Sequence, residues 1–266
     1  MSNINKNKEQ RASQKNKLLK KINDYERIKN LKKNKKQDKI RLGRKHLVIG
    51  LICAVFITIF YLYVDRDASI FFNKVRHTEL YSIFFWMQYL SNILEYVVPL
   101  VYLYLIVMLF TKYFYYFEEF LFASATSLLV AVSLKNFFKT IFGRYWTETF
   151  NNNNPSLIKN DAYGFNFFHV GSQYDSFPSG HSAVIFAVMT VVWIMYPRLR
   201  WLSVLCCAIV IVGLLGADFH FPSDIIAGAF VGIISSIFVI HASQKFASKM
   251  RVHKAMETEK DIETKI

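Results

Sequence analysis

Beyond residue 45 the chain is a succession of apolar runs joined by short charged or aromatic connections. A run of about 20 apolar residues is long enough to cross a bilayer as a helix. The runs cover 46–64, 96–114, 120–142, 182–196, 201–217 and 225–240, and Asp65-Arg66-Asp67 stops the first of them. Between the first and second runs, residues 68–92 are aromatic but interrupted by Lys74, Arg76, His77 and Glu79. That pattern predicts an amphipathic helix in the membrane interface rather than a span. The second run ends in the aromatic cluster 113–117, the composition of a membrane boundary belt. The expected fold is therefore all-α: a polytopic membrane protein with a six-transmembrane-helix bundle and an interfacial amphipathic helix after the first span.

A chain that is 53% hydrophobic and carries a net charge of +14 must segregate its charge. Residues 1–45 hold 17 Lys and Arg against 4 Asp and Glu, so nearly all of the excess precedes the first apolar run. This segment is expected to be a disordered or loosely helical arm on the cytoplasmic side, touching anionic lipid. Its cations interleave with a single aromatic, Tyr25, which argues against nucleic acid as a partner. It is also too long and too charged to be the start of a cleaved signal peptide. The expected organisation is an arm at 1–45, a membrane domain at 46–243 and a charged cytoplasmic tail at 244–266. Six crossings put both termini in the cytoplasm, where Arg198, Arg200, Lys245, Lys249, Arg251 and Lys254 satisfy the positive-inside rule. Lys139, Arg144, His181, His220 and Asp224 then all fall on the opposite face.

Those residues have complementary chemistry. Pro178-Ser179-Gly180-His181 stands where a loop gives way to an apolar run, so its amides are expected at a helix start, where N–H groups point outward and bind anions. His220 ends the next run, and Asp224 follows it by one helical turn. Ionisable groups at the ends of membrane helices are either snorkelling anchors or functional. Read as functional, His220 is a nucleophile toward phosphorus, Asp224 orients its ring, and His181 protonates the leaving alkoxide. Lys139, Arg144, the Ser179 hydroxyl and the amides around Gly180 would hold the phosphoryl oxygens. Nothing in this set has metal-ligand spacing, so neither metal nor cofactor is required.

The order Lys139, Gly143-Arg144, Pro178-Ser179-Gly180-His181 and His220-Phe221-Pro222-Ser223-Asp224 resembles the three motifs of the type 2 phosphatidic acid phosphatase superfamily, in its bacterial six-helix lipid phosphatase branch. The resemblance covers 65–243. It implies a metal-free phosphatase in the bacterial inner membrane, with His220 as nucleophile, His181 as acid and Asp224 as the orienting carboxylate. The substrate it implies is a phospholipid or glycolipid phosphate such as lipid A, undecaprenyl pyrophosphate, phosphatidylglycerophosphate or phosphatidate, hydrolysed at the periplasmic face, with no obligate protein partner. Two positions depart from the family pattern. Trp146-Thr147 stands where the first motif has Arg-Pro, and Gly213-Leu214 where the third has Ser-Arg. Arg144 is expected to substitute for the missing cation. A phosphotransferase using the same histidine and a non-catalytic lipid-binding protein remain the alternatives.

The connection 145–177 contains the aromatic stretch 163–169, read either as a surface loop or as a lid over the site. Asp218 either tunes the site or caps a helix. Cys53, Cys206 and Cys207 lie in apolar runs and are expected as unpaired small hydrophobes.

Overall fold

A computed structural model describes residues 47–110, 116–150 and 153–263. The basic arm at 1–45, and most of the aromatic cluster at 113–117, lie outside them. Among the described residues there is no strand, only three isolated bridges in the long connection. The chain divides into two compact units, 1–54 and 55–266. The first is described only through the opening turns of α1, and the rest of the architecture belongs to the second.

α1 spans Leu47–Tyr63, and α2, Asp65–Arg76, follows it after a bend of 64°. Asp65 and Asp67 in the first turn of α2, and Lys74 and Arg76 in its last, match the helix dipole at both ends. The interfacial helix expected over 68–92 thus stops at Arg76. A turn then closes on Thr78, whose hydroxyl donates to the Val75 carbonyl at 2.6 Å, and α3 runs unbroken over Tyr81–Phe110. The second apolar helix therefore begins 15 residues before Tyr96. Lys74, Arg76, His77 and Glu79, which interrupted the apolar pattern, all precede α3, and the polar residues within its first turns, Gln88 and Ser91, are buried at 3% and 1% exposure on its packed face. These two mark an inward side, not a water boundary.

α4 covers Tyr116–Phe142, α5 is the single turn Leu157–Asn160, α6 covers Gly180–Met195, α7 Arg200–Gly216 and α8 Pro222–Glu263. α8 carries the backbone of the expected tail as far as Glu263 without a break. Among the described residues, four helices are long and apolar enough to cross a membrane, or five if the bent pair α1–α2 is one span. α6 coincides with the fourth expected span, but its 16 residues reach only about 24 Å. A bilayer core is about 30 Å thick. The three cysteines are half-buried and free.

α6 is central, packing against α3, α4, α7 and α8. Val184, Ile185 and Ala187 on it are at most 1% exposed. α8 lies closest, because Gly228 and Gly232, one turn apart, face α6. A Cβ on Gly228 would sit 2.3 Å from the Ser179 carbonyl oxygen, and one on Gly232 would sit 2.4 Å from that of Ala183. This approach fixes the start of α6 against the start of α8, where the Ser179 amide donates to the Asp224 carbonyl at 3.0 Å.

Candidate active site

The two helix starts bring the motif residues together. α6 begins at Gly180, with Ser179 as its N-cap accepting from the Ser182 amide at 3.4 Å. α8 begins at Pro222, a residue suited to a first helical position because it has no N–H to satisfy. Two positions on, Asp224 reaches back to accept the Phe221 amide at 3.2 Å, the reciprocal half of a capping box. Asp224 thus caps the start of α8 through Phe221 and also faces the His220 ring, four residues before it.

A cavity of about 160 Å³ lies over these starts, lined by Asn92, Glu95, Lys135, Lys139, Trp146, Gly180, His181 and His220. Water occupies about 30 Å³ per molecule in the liquid, so the space is ample for a phosphoryl group. The rings of His181 and His220 are 6.1 Å apart, edge to face. Trp146 lies 5.3 Å from the His220 ring and anchors its own indole N–H on the Ser172 carbonyl at 2.7 Å. Lys139 Nζ donates to the Asp175 carbonyl at 2.6 Å and sits 5.7 Å from the Trp146 ring. Behind His220, Asp224 Oδ2 is 3.6 Å from Nδ1, just beyond hydrogen-bond length, and accepts from the Ser176 hydroxyl at 2.7 Å. Burial pushes the His220 imidazole below its ordinary pKa, against the pull of Asp224.

Of the expected residues, His181, His220, Lys139 and Gly180 line the cavity, and Asp224 stands directly behind it. Ser179 is fully buried as a helix cap. Arg144 is elsewhere. Gly143, at φ +46 and with no room for a Cβ against the Asn166 carbonyl, ends α4 in a left-handed turn. The next side chain is fully buried. Its Nη1 pairs with Asp224 Oδ1 and donates to Ser223 Oγ at 2.7 Å, while Nη2 pairs with Asp65 Oδ2 at 2.8 Å. Phe221, Tyr61, Phe165 and Tyr163 surround the guanidinium, at 4.1 to 5.4 Å from its carbon. Burial opposes its charge, yet Asp224 and Asp65 outweigh that and hold it above the ordinary arginine value. The expectation that Arg144 replaces a phosphate-binding arginine is therefore corrected. A guanidinium removed from water needs carboxylate partners, and two are within reach.

The aromatic stretch is likewise committed to this guanidinium through Tyr163 and Phe165, and none of 163–169 lines the cavity. Leu214, where the third motif has arginine, is fully buried in the apolar core. Asp218, at φ +48, accepts from Ser69 Oγ at 2.9 Å and Asn73 Nδ2 at 3.2 Å, which ties α2 to the α7–α8 turn. Burial raises its carboxyl to about 7.

Sequence reasoning missed Lys135, Asn92, Glu95 and Asp65 as site residues. Lys135 and Lys139 are four apart and so share a face of α4. Asn92 and Glu95 are three apart in an otherwise apolar helix, a pattern that marks a functional face in a membrane. Asp65, read as a helix stop, carries no comparable signal.

Residues 120–248 match the family model described as the PAP2 superfamily. The bacitracin transport permease protein BcrC of Bacillus licheniformis is 25% identical over 92 residues, 35% of this chain and 44% of that protein. The chain thus spans less than half the length of that curated relative. A solved transmembrane PAP2 type phosphatidylglycerolphosphate phosphatase from Bacillus subtilis aligns with 73% of this chain and 96% of its own, at 17% identity and a TM-score of 0.42. The stretch that matches the PAP2 superfamily model contains Lys139, Pro178-Ser179-Gly180-His181 and His220 through Asp224.

Proposed function

We propose that the chain is an integral membrane phosphatase that hydrolyses a phosphomonoester or pyrophosphate of a membrane lipid. The observation that carries this reading is a pair of imidazoles 6.1 Å apart in one cavity, with two lysines beside them and a buried carboxylate behind one. Asp224 takes the Nδ1 side of His220 and leaves Nε2 as the attacking nitrogen. Nε2 forms a bond to phosphorus as the bond to the lipid oxygen breaks, and His181 gives its proton to that oxygen. Water, deprotonated by the now neutral His181, then attacks the phosphohistidine, releasing phosphate and returning His220 to its starting state. Lys135 and Lys139 supply the positive charge that the missing arginines would have supplied. No cluster of three His, Cys, Asp or Glu among the described residues is placed to hold a metal, and the scheme requires none.

In this reading the basic arm and the C-terminus are cytoplasmic and the cavity opens to the periplasmic face of a bacterial inner membrane. Charge on the connections supports that orientation. The test is phosphate release by the purified protein, with EDTA present, from lipid A, undecaprenyl pyrophosphate, phosphatidylglycerophosphate and phosphatidate. Release that survives EDTA and falls at least about 1,000-fold in His220→Ala is expected. Equal turnover by His220→Ala would defeat the mechanism. Turnover that appears only when an alcohol acceptor is supplied would make the protein a transferase.

A further inference from the structure

The fully buried network behind the nucleophile contains one charge more than an orienting pair needs. Arg144 alone would neutralise Asp224. Asp65 adds a second carboxylate on the other side of the same guanidinium, at 2.8 Å. It also accepts the Ser223 amide at 3.0 Å and the Ser223 hydroxyl at 2.5 Å, in the first turn of α8 and one residue from Asp224. All three side chains are 0% exposed. His220 Nδ1, meanwhile, is buried without a hydrogen bond of ordinary length, and Asp224, 3.6 Å away, acts on it partly through its field. A field of that kind depends on the net charge of the group that produces it.

We propose that Asp65 is a positioning residue: paired with Arg144, it keeps the Asp65–Arg144–Asp224 network at a net charge of −1, so that Asp224 supports positive charge on His220 as the ring bonds to phosphorus. The proposal rests on the phosphatase reading for its catalytic meaning, but its electrostatic content does not. The other charged and titratable groups around His220 are His181 from α6, Lys135 and Lys139 from α4 and Glu95 from α3. The cationic ones oppose charge on the ring, so a neutral network behind it would leave the imidazolium facing them with little support. Asp65 itself stands at the start of α2, outside the segment that carries the family motifs.

The test is a titration of His220 in the purified full-length protein, without ligand, by NMR of ¹⁵N-labelled histidine, with the signal assigned through its loss in His220→Gln. Asp65→Asn makes the network neutral and is expected to lower the His220 pKa by about one unit. Ser223→Ala removes a hydrogen bond but no charge, so it should leave the titration in place. Asp65→Asn combined with Arg144→Gln returns the network to −1 and is expected to restore the wild-type value. An unmoved His220 in folded Asp65→Asn would overturn the proposal. Should that single variant not fold, a depressed pKa in the double variant would overturn it equally. Phosphate release from the same lipid panel is read alongside. A wild type that turns over while the titration stays fixed removes the role of Asp65 and leaves the phosphatase reading. A wild type that releases nothing removes that reading, while the titration still decides whether Asp65 sets the charge behind His220.

Discussion

Lys135 and Arg144 show how differently two cations near one site can behave. Lys135 lines the cavity at the end of a flexible stem, close enough that a Cβ on Gly180 would lie 2.8 Å from its Nζ. In the proposed reaction, removing it takes away a phosphate contact and little packing. Lys135→Ala is expected to raise KM about tenfold with an unchanged unfolding temperature, read from paired kinetics and thermal melts. Arg144→Ala is expected to fail in another way. It leaves Asp65 and Asp224 buried without their shared cation, and breaking a buried pair from one side costs about 3–5 kcal/mol. Lost stability should therefore accompany lost turnover in that variant. If Arg144→Ala instead raised KM at full stability, the guanidinium would have to reach the substrate after all.

At the scale of elements, the site depends on how closely α8 approaches α6. Gly228→Ala drives a methyl into the Ser179 carbonyl, and because backbone cannot swing aside, overpacking of this kind costs about 1–3 kcal/mol. Ser179 caps the helix that carries His181, so kcat should fall as well. Gly232→Ala meets the Ala183 carbonyl one turn deeper, and it should cost similar stability with a smaller loss of kcat. Thermal melts and initial rates on the two variants separate these outcomes. The same elements show what the sequence made legible. α4, α6 and α7, and the start of α8, lie close to where the apolar runs placed them, because long runs have few alternatives in a membrane. The cavity residues of the second and third motifs were readable because their chemistry is local in the chain. The start of α3 was not, since Lys74, Arg76, His77 and Glu79 made the whole of 68–92 look interfacial, although all four precede the helix. Nor was the partner of Arg144. It depends on Asp65, 79 positions away, and no local pattern encodes a salt bridge across that distance.

Whole-molecule stability should carry a pH signature from Asp218. Its carboxyl is raised in the folded state, so folding favours the protonated form. That contribution is fully present below the unfolded value near 4, and it is lost as pH rises through about 7. Melting temperatures are expected to fall between pH 5 and pH 8, and to fall less in Asp218→Asn; identical slopes would remove Asp218 as the cause. The cavity and the network behind it also differ in what reaches them. Mobile ions enter an open cavity and screen its lysines over a Debye length of about 8 Å at physiological salt, but they cannot enter a region with no solvent-exposed atoms. Ionic strength should therefore act on the two layers separately, weakening the capture of an anionic lipid in the proposed reaction while leaving the field on His220 as the fold set it.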